Sequence, residues 1–321
     1  MGMLVNGEWQ KEDRPANADG EVVTTNLQFR HWITPDGSAG PTGEGGFKAE
    51  TGRYHLYVSY ACPFASRALM MRSLKGLQDI ISLSVVNPVM YDQGWSFEDG
   101  DGVIPDPVIN ANYLREIYTF SDPNFTGKVS VPVLFDKKTK QIVNNESSDI
   151  IRMLNSAFDY AGANNNNFVP KESLPEIEAW NNIIGPEINN AVYKIGLAQE
   201  QDFYNKEVTH LFDRLNEIEE RLSTSRFLVG EQPTESDWLL FATLIRFDIV
   251  YFGLFKCNIR RIMDYKNLWR YTRELYNWPG IKETVNISHI KKHYYISLTS
   301  LNPSGIVPKG PEIDLNMDEM K

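Results

Sequence analysis

The sequence predicts an α/β domain followed by an all-α domain. Its 321 residues suit two domains and can bury roughly three quarters of the surface of the unfolded chain. Short β-type runs alternate with helix-periodic segments up to about residue 158, whereas nearly every segment beyond residue 175 has helical periodicity. Apolar residues make up 42% and charged residues 23%, a globular composition that excludes disordered, collagenous and disulfide-scaffold classes.

The α/β domain is predicted over residues 51–160, after an extended lead-in over residues 1–50 that is rich in Gly, Pro, Asp and Thr. A strand is expected over 54–59, a helix over 63–74 and a second strand over 80–86. Residues 87–127 form an irregular excursion. Since it is too long for an ordinary connection, we expect it to border a functional site.

The remaining elements complete both domains. Two short β runs surround a turn at residues 136–139, and a helix follows over 147–158. An Asn-rich stretch with a proline predicts a linker over 161–174. The all-helical domain, predicted over 175–300 and followed by a tail over 301–321, contains at least four helices, over 175–198, 202–222, 235–248 and 265–276.

Charge and cysteine content limit the function classes. The chain has 32 basic and 42 acidic residues, and this net charge of −10 argues against nucleic acid or an anionic membrane as a partner. Two cysteines cannot build a disulfide framework or a cysteine-based zinc site, so we expect a reducing compartment. No targeting or transmembrane segment is recognised. A cytoplasmic protein that acts on small molecules is therefore expected.

Cys62 is the leading candidate for chemistry because it follows a predicted strand and precedes a helix that begins with Pro63. A thiolate at a helix N-terminus is stabilised by unpaired amides and by the helix dipole, so its pKa should fall below about 8.5. Ala65 stands where a dithiol motif has its second cysteine, which makes this a single-thiol centre. The alternative is a small buried apolar cysteine. Cys257 lacks such a context and is expected to be inert and half-buried.

Two further motifs flank the next strands. Val131 and Pro132 stand at the entrance of a strand, where a cis X-Pro bond would expose backbone groups sideways. Glu146 and Ser147 open a helix, offering a carboxylate for an amine beside hydroxyl and amide donors for a carboxylate. The γ-glutamyl end of glutathione carries both charges. The alternative interpretation of this pair is ordinary N-capping.

With these motifs in place, the chain resembles the xi-class glutathione transferases, or glutathionyl-hydroquinone reductases, relatives of the omega class. The resemblance runs from about residue 46 to residue 311 and rests on YVSYACPFASRALMMRSLKGL, SVVNPVMYDQGWSFEDG, SDPNFTGKVSVPVLFDKKTKQIVNNESSDIIRMLN, INNAVYKIGLA, FLVGEQPTESDW and HYYISLTSLNPSGIVPKGP. It implies a thioredoxin-like domain followed by an all-α domain, the glutathione transferase fold. It also implies glutathione as co-substrate, no metal, and a homodimer.

The resemblance also implies residue roles. It assigns catalysis to Cys62, Tyr193 and Tyr294, and glutathione binding to Trp95, Lys128, Val131, Glu146 and Ser147. Lys128 stands where the family usually has arginine and cannot form a bidentate fork with a carboxylate. Phe64 replaces the family's usual tryptophan, which changes the pocket wall and leaves the thiol chemistry intact. His293 and Tyr295 are adjacent candidates that the sequence does not separate from Tyr294.

The expected function is glutathione-dependent reduction of S-glutathionyl hydroquinones through a Cys62–glutathione mixed disulfide. One alternative is an omega-like thiol transferase or dehydroascorbate reductase, which by resemblance lacks the excursion over 87–127 and the HYY segment. The other is a non-catalytic binding module on the same fold. Retention of Cys62 argues against the binding module, which has no need of an activated thiol.

Overall fold

The computed structural model of the chain describes residues 2–11 and 29–317. These residues divide into two compact units. The first unit contains the described residues up to Asn166 together with the segment Thr284–Ser297. The second contains Asn167–Glu283 and the described residues from Leu298 onward.

The first unit has two sheets and flanking helices. In chain order its elements up to residue 166 are β1 (Met3–Val5), β2 (Glu8–Gln10), β3 (Tyr54–Val58), α1 (Pro63–Leu74), β4 (Ser82–Val85), α2 (Leu114–Ser121), β5 (Gly127–Lys128), β6 (Val133–Asp136), β7 (Gln141–Asn144) and α3 (Ser147–Ser156). The main sheet has the order β4-β3-β6-β7, with β4 parallel to β3 and the other pairs antiparallel. Helices α1 and α3 pack on each other. Every residue of β3 and β6 is buried, so the core lies along these central strands.

The small sheet was not expected from the sequence. Strands β1 and β2 form an antiparallel hairpin, and β1 also pairs with β5. The turn uses Asn6 and Gly7 with φ of 50° and 79°, the left-handed conformation of a two-residue hairpin. The extended lead-in predicted over residues 1–50 therefore contains two strands between residues 3 and 10. The excursion likewise contains helix α2, which buries Leu114, Ile117 and Tyr118.

The second unit is helical, as predicted. Its helices are α4 (Leu174–Ile184), α5 (Ala191–Gly196), α6 (Gln201–Thr224), α7 (Glu235–Arg246) and α8 (Lys266–Tyr276), with π-helical segments at Gly185–Asn189 and Phe247–Tyr251. Thr234 and Asp237 form a capping box at the start of α7, which fixes where this buried helix begins. In the part of the chain that is described, no helix is long and apolar enough to cross a membrane.

The chain returns to the first unit at Thr284–Ser297, which contains α9 (Ile287–Lys292) and a π-helical turn at His293–Ser297. The predicted helical domain, over 175–300, includes this segment, whereas the structure places it in the first unit. There two histidines bind the backbone of the excursion: His289 Nε2 lies 2.5 Å from the Asp101 carbonyl oxygen, and His293 Nδ1 lies 3.0 Å from that of Pro88. Helical periodicity identifies the element without indicating the body on which it packs.

Candidate active site

Strand direction collects the candidate residues of the first unit at one edge of the main sheet. Tyr57 of β3 pairs with Val133 of β6, and Leu134 pairs with Asn144 of β7. Because β6 is antiparallel to both neighbours, the carboxyl ends of β3 and β7 lie beside the amino end of β6. Helices α1 and α3 begin directly after β3 and β7. Their N-termini therefore share an edge with the residues that precede β6.

Cys62 occupies the N-cap position of α1, with Pro63 as the first helical residue. Cys62 is half-buried, its thiol donates to the carbonyl oxygen of Val131 at 3.6 Å, and its sulfur accepts no cap hydrogen bond from the first turn of α1. The predicted position is thus confirmed, and the partner comes from across the sheet. A partly exposed cysteine at a helix start has the setting of a nucleophile.

The Val131–Pro132 peptide bond is cis, as expected from the sequence. Val131 is buried and immediately precedes β6, where its carbonyl reaches the Cys62 thiol. The glutathione contact that the resemblance assigns to Val131 stays a prediction.

Glu146 caps α3. Its Oε1 accepts hydrogen bonds from the Ser148 amide at 3.0 Å and the Ser148 hydroxyl at 2.9 Å. The Ser147 hydroxyl oxygen accepts from Arg67 Nη1 at 3.3 Å, and both of these side chains are buried. Since Arg67 belongs to α1, this contact ties the start of α3 to the helix that Cys62 begins. The capping interpretation of Glu146 is therefore correct, and it leaves a half-buried carboxylate at the sheet edge.

Tyr118 of α2 is a structural residue of this edge that the sequence analysis missed. Its hydroxyl donates to the Ser130 carbonyl oxygen at 2.8 Å and accepts from Asn145 Nδ2 at 3.2 Å. These partners immediately precede Val131 and Glu146. Burial raises the pKa of the Tyr118 phenol, which keeps its proton at neutral pH. The amphipathic spacing within α2 could have revealed the helix, but not the hydrogen bonds of Tyr118 to Ser130 and Asn145.

Trp95 lies on the excursion, which leaves the same sheet edge after β4. A short ladder fixes its backbone: the Asn87 amide donates to the Ser96 carbonyl at 2.8 Å, and the Leu114 amide donates to the Trp95 carbonyl at 2.9 Å. The indole is buried and stacks on the ring of His293, with centroids 4.8 Å apart. Its contact with glutathione stays a prediction.

Lys128 lies in the two-residue strand β5, opposite Met3 of β1, and is half-buried. The chain continues from it through Val129 and Ser130 to Val131, so it stands close in sequence to the sheet edge. Its carboxylate-binding role stays a prediction.

The three adjacent residues His293, Tyr294 and Tyr295 have different surroundings, and the ring of His293 stacks on Trp95. Tyr294 is 2% exposed, and its ring meets that of His293 edge-on at 5.2 Å. Tyr295 is half-buried, and burial raises the pKa of its phenol. Tyr294 is thus packed against its neighbours, and the substrate role that the resemblance implies for it stays a prediction.

Tyr193 lies in the second unit, on α5, where it belongs to an aromatic cluster. Its ring meets Tyr251 at 6.0 Å and Phe255 at 5.4 Å, both edge-on. Gly196 makes this packing possible, because a Cβ there would lie 2.3 Å from Cγ of Phe255. Cys257 is fully buried rather than half-buried, and burial raises the pKa of its thiol, as expected of an inert cysteine.

Neither unit offers a metal centre within the described ranges, since no three His, Cys, Asp or Glu side chains there are grouped to hold an ion.

Comparison with known proteins identifies the family. The sequence models named "Glutathione S-transferase, N-terminal domain" and "Glutathione S-transferase, C-terminal domain" match residues 61–157 and 201–274. The chain is 46% identical to glutathionyl-hydroquinone reductase YqjG of Escherichia coli, over 98% of this chain and 97% of that protein. It is also 46% identical to glutathionyl-hydroquinone reductase PcpF of Sphingobium chlorophenolicum, over 97% and 96% of the two chains.

Solved structures agree with these sequence matches. The glutathione-bound structure of YqjG superposes with a TM-score of 0.92 at 45% identity, covering 99% of this chain and 98% of that one. A xi-class glutathione transferase from Natrialba magadii gives a TM-score of 0.91 at 40% identity, covering 100% and 96%. The predicted glutathione transferase fold is thereby confirmed. The chain belongs to the glutathione transferase family, in its xi class of glutathionyl-hydroquinone reductases.

Proposed function

We propose that the protein reduces S-glutathionyl hydroquinones to hydroquinones with glutathione as co-substrate. The observation that supports this most directly is the Cys62 thiol at the start of α1, 3.6 Å from the Val131 carbonyl oxygen. Two relatives of near-equal length, each 46% identical, carry the name of this activity.

The proposed reaction has two steps at one sulfur atom. The Cys62 thiolate attacks the glutathionyl sulfur, the aryl C–S bond breaks, and its electron pair remains with the ring carbon, which takes up a proton. This releases the hydroquinone and leaves a Cys62–glutathione disulfide. The thiolate of a second glutathione then attacks the glutathione sulfur of that disulfide, giving oxidised glutathione and regenerating the Cys62 thiolate. The ring is reduced by two electrons, which the two glutathione sulfurs supply.

Glutathione binding is assigned to the sheet edge beside Cys62. The half-buried Glu146 carboxylate suits the α-ammonium of the γ-glutamyl group, and the Ser147 hydroxyl and the first amides of α3 suit its carboxylate. Val131 would pair with the cysteinyl backbone, Trp95 would lie against the peptide, and Lys128 would attract a carboxylate. Glu146 accepts from the Ser148 amide, and Glu146→Gln keeps an oxygen for that cap while removing the charge. We expect Glu146→Gln to weaken glutathione binding clearly and to lower the free energy of unfolding only slightly.

The aromatic half of the substrate is assigned to Tyr193 and Tyr294. A phenol can donate a proton or a hydrogen bond as electron density moves onto the ring and its oxygens. Attack on an ordinary mixed disulfide needs no such group. This difference separates the proposed reductase from an omega-like thiol transferase.

The test is turnover of glutathionyl hydroquinones by the purified protein with glutathione, following free hydroquinone and oxidised glutathione, which should appear in equal amounts. Cys62→Ser should abolish turnover and keep the far-UV circular dichroism, because an alcohol is a far poorer nucleophile at neutral pH. Tyr193→Phe combined with Tyr294→Phe should lower kcat/KM for the hydroquinone substrate roughly tenfold or more, with little effect on a small glutathione mixed disulfide.

Each alternative has its own outcome in this test. Turnover of mixed disulfides or dehydroascorbate without hydroquinone release would favour the omega-like transferase. Glutathione binding without any turnover would favour a binding module. A parallel loss of both activities in the double tyrosine variant would mean that these tyrosines serve the glutathione site or the fold.

We also infer a cytoplasmic homodimer. Support for the compartment comes from the two cysteines, both of which are free thiols, as a reducing environment would keep them. The dimer rests on the family resemblance alone, and light scattering of the purified chain measures it directly.

A further inference from the structure

The ring of His293 lies almost flat against the indole of Trp95. The two planes are inclined by only 22°, and the side chains are 8% and 5% exposed. His293 Nδ1 is 3.0 Å from the Pro88 carbonyl oxygen. Because a carbonyl only accepts, Nδ1 carries the proton of this hydrogen bond. One contact therefore sets the plane of the imidazole, and the imidazole in turn covers one face of the indole.

This contact supplies what the backbone of the excursion does not. The ladder around Trp95 fixes where its backbone lies, but the orientation of an indole depends on what packs against its faces. The turn that carries His293 is itself anchored, since the Ser297 hydroxyl oxygen accepts from the Met90 amide at 2.9 Å. His293 is thus held on a rigid support next to the ring that it contacts.

We propose that His293 is a positioning residue for Trp95, holding the indole in the orientation in which it lies against glutathione. This inference rests on the proposed function, which assigns Trp95 to glutathione. It gives His293 a role distinct from contact with the aromatic substrate. The imidazole ring holds the indole by stacking on it, and the hydrogen bond to the Pro88 carbonyl orients the imidazole.

A matched control lies one helical turn earlier. His289 also binds a carbonyl of the excursion, with Nε2 2.5 Å from the Asp101 oxygen, but its ring meets Tyr60 edge-on rather than Trp95. His289→Ala therefore removes the same kind of tie between the same two segments. A general loosening of α9 would affect both histidine variants alike.

The experiment measures glutathione affinity by calorimetry, together with KM for glutathione and kcat. His293→Ala should weaken glutathione binding roughly three- to tenfold, the range of an aromatic pair, and raise KM more than it lowers kcat. Trp95→Ala should weaken binding at least as much, and the double variant should be no weaker than Trp95→Ala alone. His293→Phe keeps a stacking ring and should restore most of the affinity. His293→Asn keeps a donor near Pro88 without the ring and should resemble His293→Ala, while His289→Ala should bind normally.

The results distinguish failure of this inference from failure of the proposed site. If Trp95→Ala binds glutathione normally, the assignment of Trp95 is wrong and the positioning role falls with it. If Trp95→Ala binds weakly while His293→Ala binds normally, or if the two losses add, only the positioning role is overturned. Rescue by Asn but not by Phe would mean that the tie to Pro88 matters and the stacking does not.

Discussion

His55 should make the protein lose stability in mild acid. It is the second residue of β3, with three strand residues between it and the loop that leads to Cys62, and it is 0% exposed. Its Nδ1 is 2.7 Å from the Ser82 hydroxyl oxygen and its Nε2 is 2.9 Å from that of Ser84. The two hydroxyls also donate to backbone carbonyls, Ser82 to Tyr54 at 3.3 Å and Ser84 to Pro105 at 2.9 Å, so the ring lies in a closed set of hydrogen bonds.

The sign and size of the effect follow from the pKa of this ring. Burial lowers the pKa of His55 from 6.5 to about 4; Asp106 opposes the shift, whereas Lys137 and Arg72 add to it. The unfolded chain takes up this proton near pH 6.5, and the folded chain resists it down to about pH 4. The stabilisation by neutral His55 is therefore fully present above pH 6.5 and is lost as the pH falls toward 4. Proton linkage gives a loss of about 2 kcal/mol at about pH 5 and about 3 kcal/mol at about pH 4.

Urea unfolding of the wild type and His55→Gln, at about pH 7.5 and about pH 5, measures this loss. Glutamine retains a donor and an acceptor and does not titrate, so the free-energy difference between the two proteins should shrink by about 2 kcal/mol in acid. Burial also lowers the pKa of His289, but that residue is present in both proteins and cancels. Parallel losses of stability in the two proteins would refute the reasoning.

Three site residues give further expected outcomes. The Cys62 thiol should ionise below about 8.5 because it begins α1; its alkylation rate against pH measures the midpoint, and a value at or above about 8.5 would exclude an activated thiol. Lys128→Ala should weaken glutathione binding and Lys128→Arg should preserve or tighten it, whereas equal titration curves for all three forms would leave Lys128 as a surface charge. Tyr118→Phe should lower the free energy of unfolding by about 1–3 kcal/mol, since the Ser130 carbonyl and the buried Asn145 side chain lose its hydroxyl, and an unchanged urea transition would contradict these hydrogen bonds.

Local signals explain where the sequence analysis succeeded. Helix α1 has its predicted bounds of Pro63 and Leu74, because proline defines its first turn and the glycine at position 76 follows its end. Cys62 was found by the same reasoning, since an N-cap is fixed by its immediate neighbours. The Asn6–Gly7 turn is an equally local signal, and the hairpin could have been predicted from it.

Features that depend on distant partners could not be predicted in this way. Tyr118 has an ordinary helical context, and only the folded chain brings its hydroxyl to Ser130 and Asn145. The stacking of His293 on Trp95 likewise joins the excursion to the last helical segment of the chain. Periodicity identifies which face of an element is apolar, but not which element covers it.

This long-range packing links the two sequence features that, by resemblance, distinguish a reductase from an omega-like transferase: the excursion and the HYY segment. In the structure they contact each other through His289, His293 and Ser297, which bind the backbone at Asp101, Pro88 and Met90. A chain without the excursion would leave these three side chains without those partners, and a chain without the segment would lack the ring that stacks on the indole of Trp95. The two features therefore form one structural unit and support the reductase assignment as a single observation, so the decisive measurement is turnover of hydroquinone and mixed-disulfide substrates by the Tyr193 and Tyr294 variants.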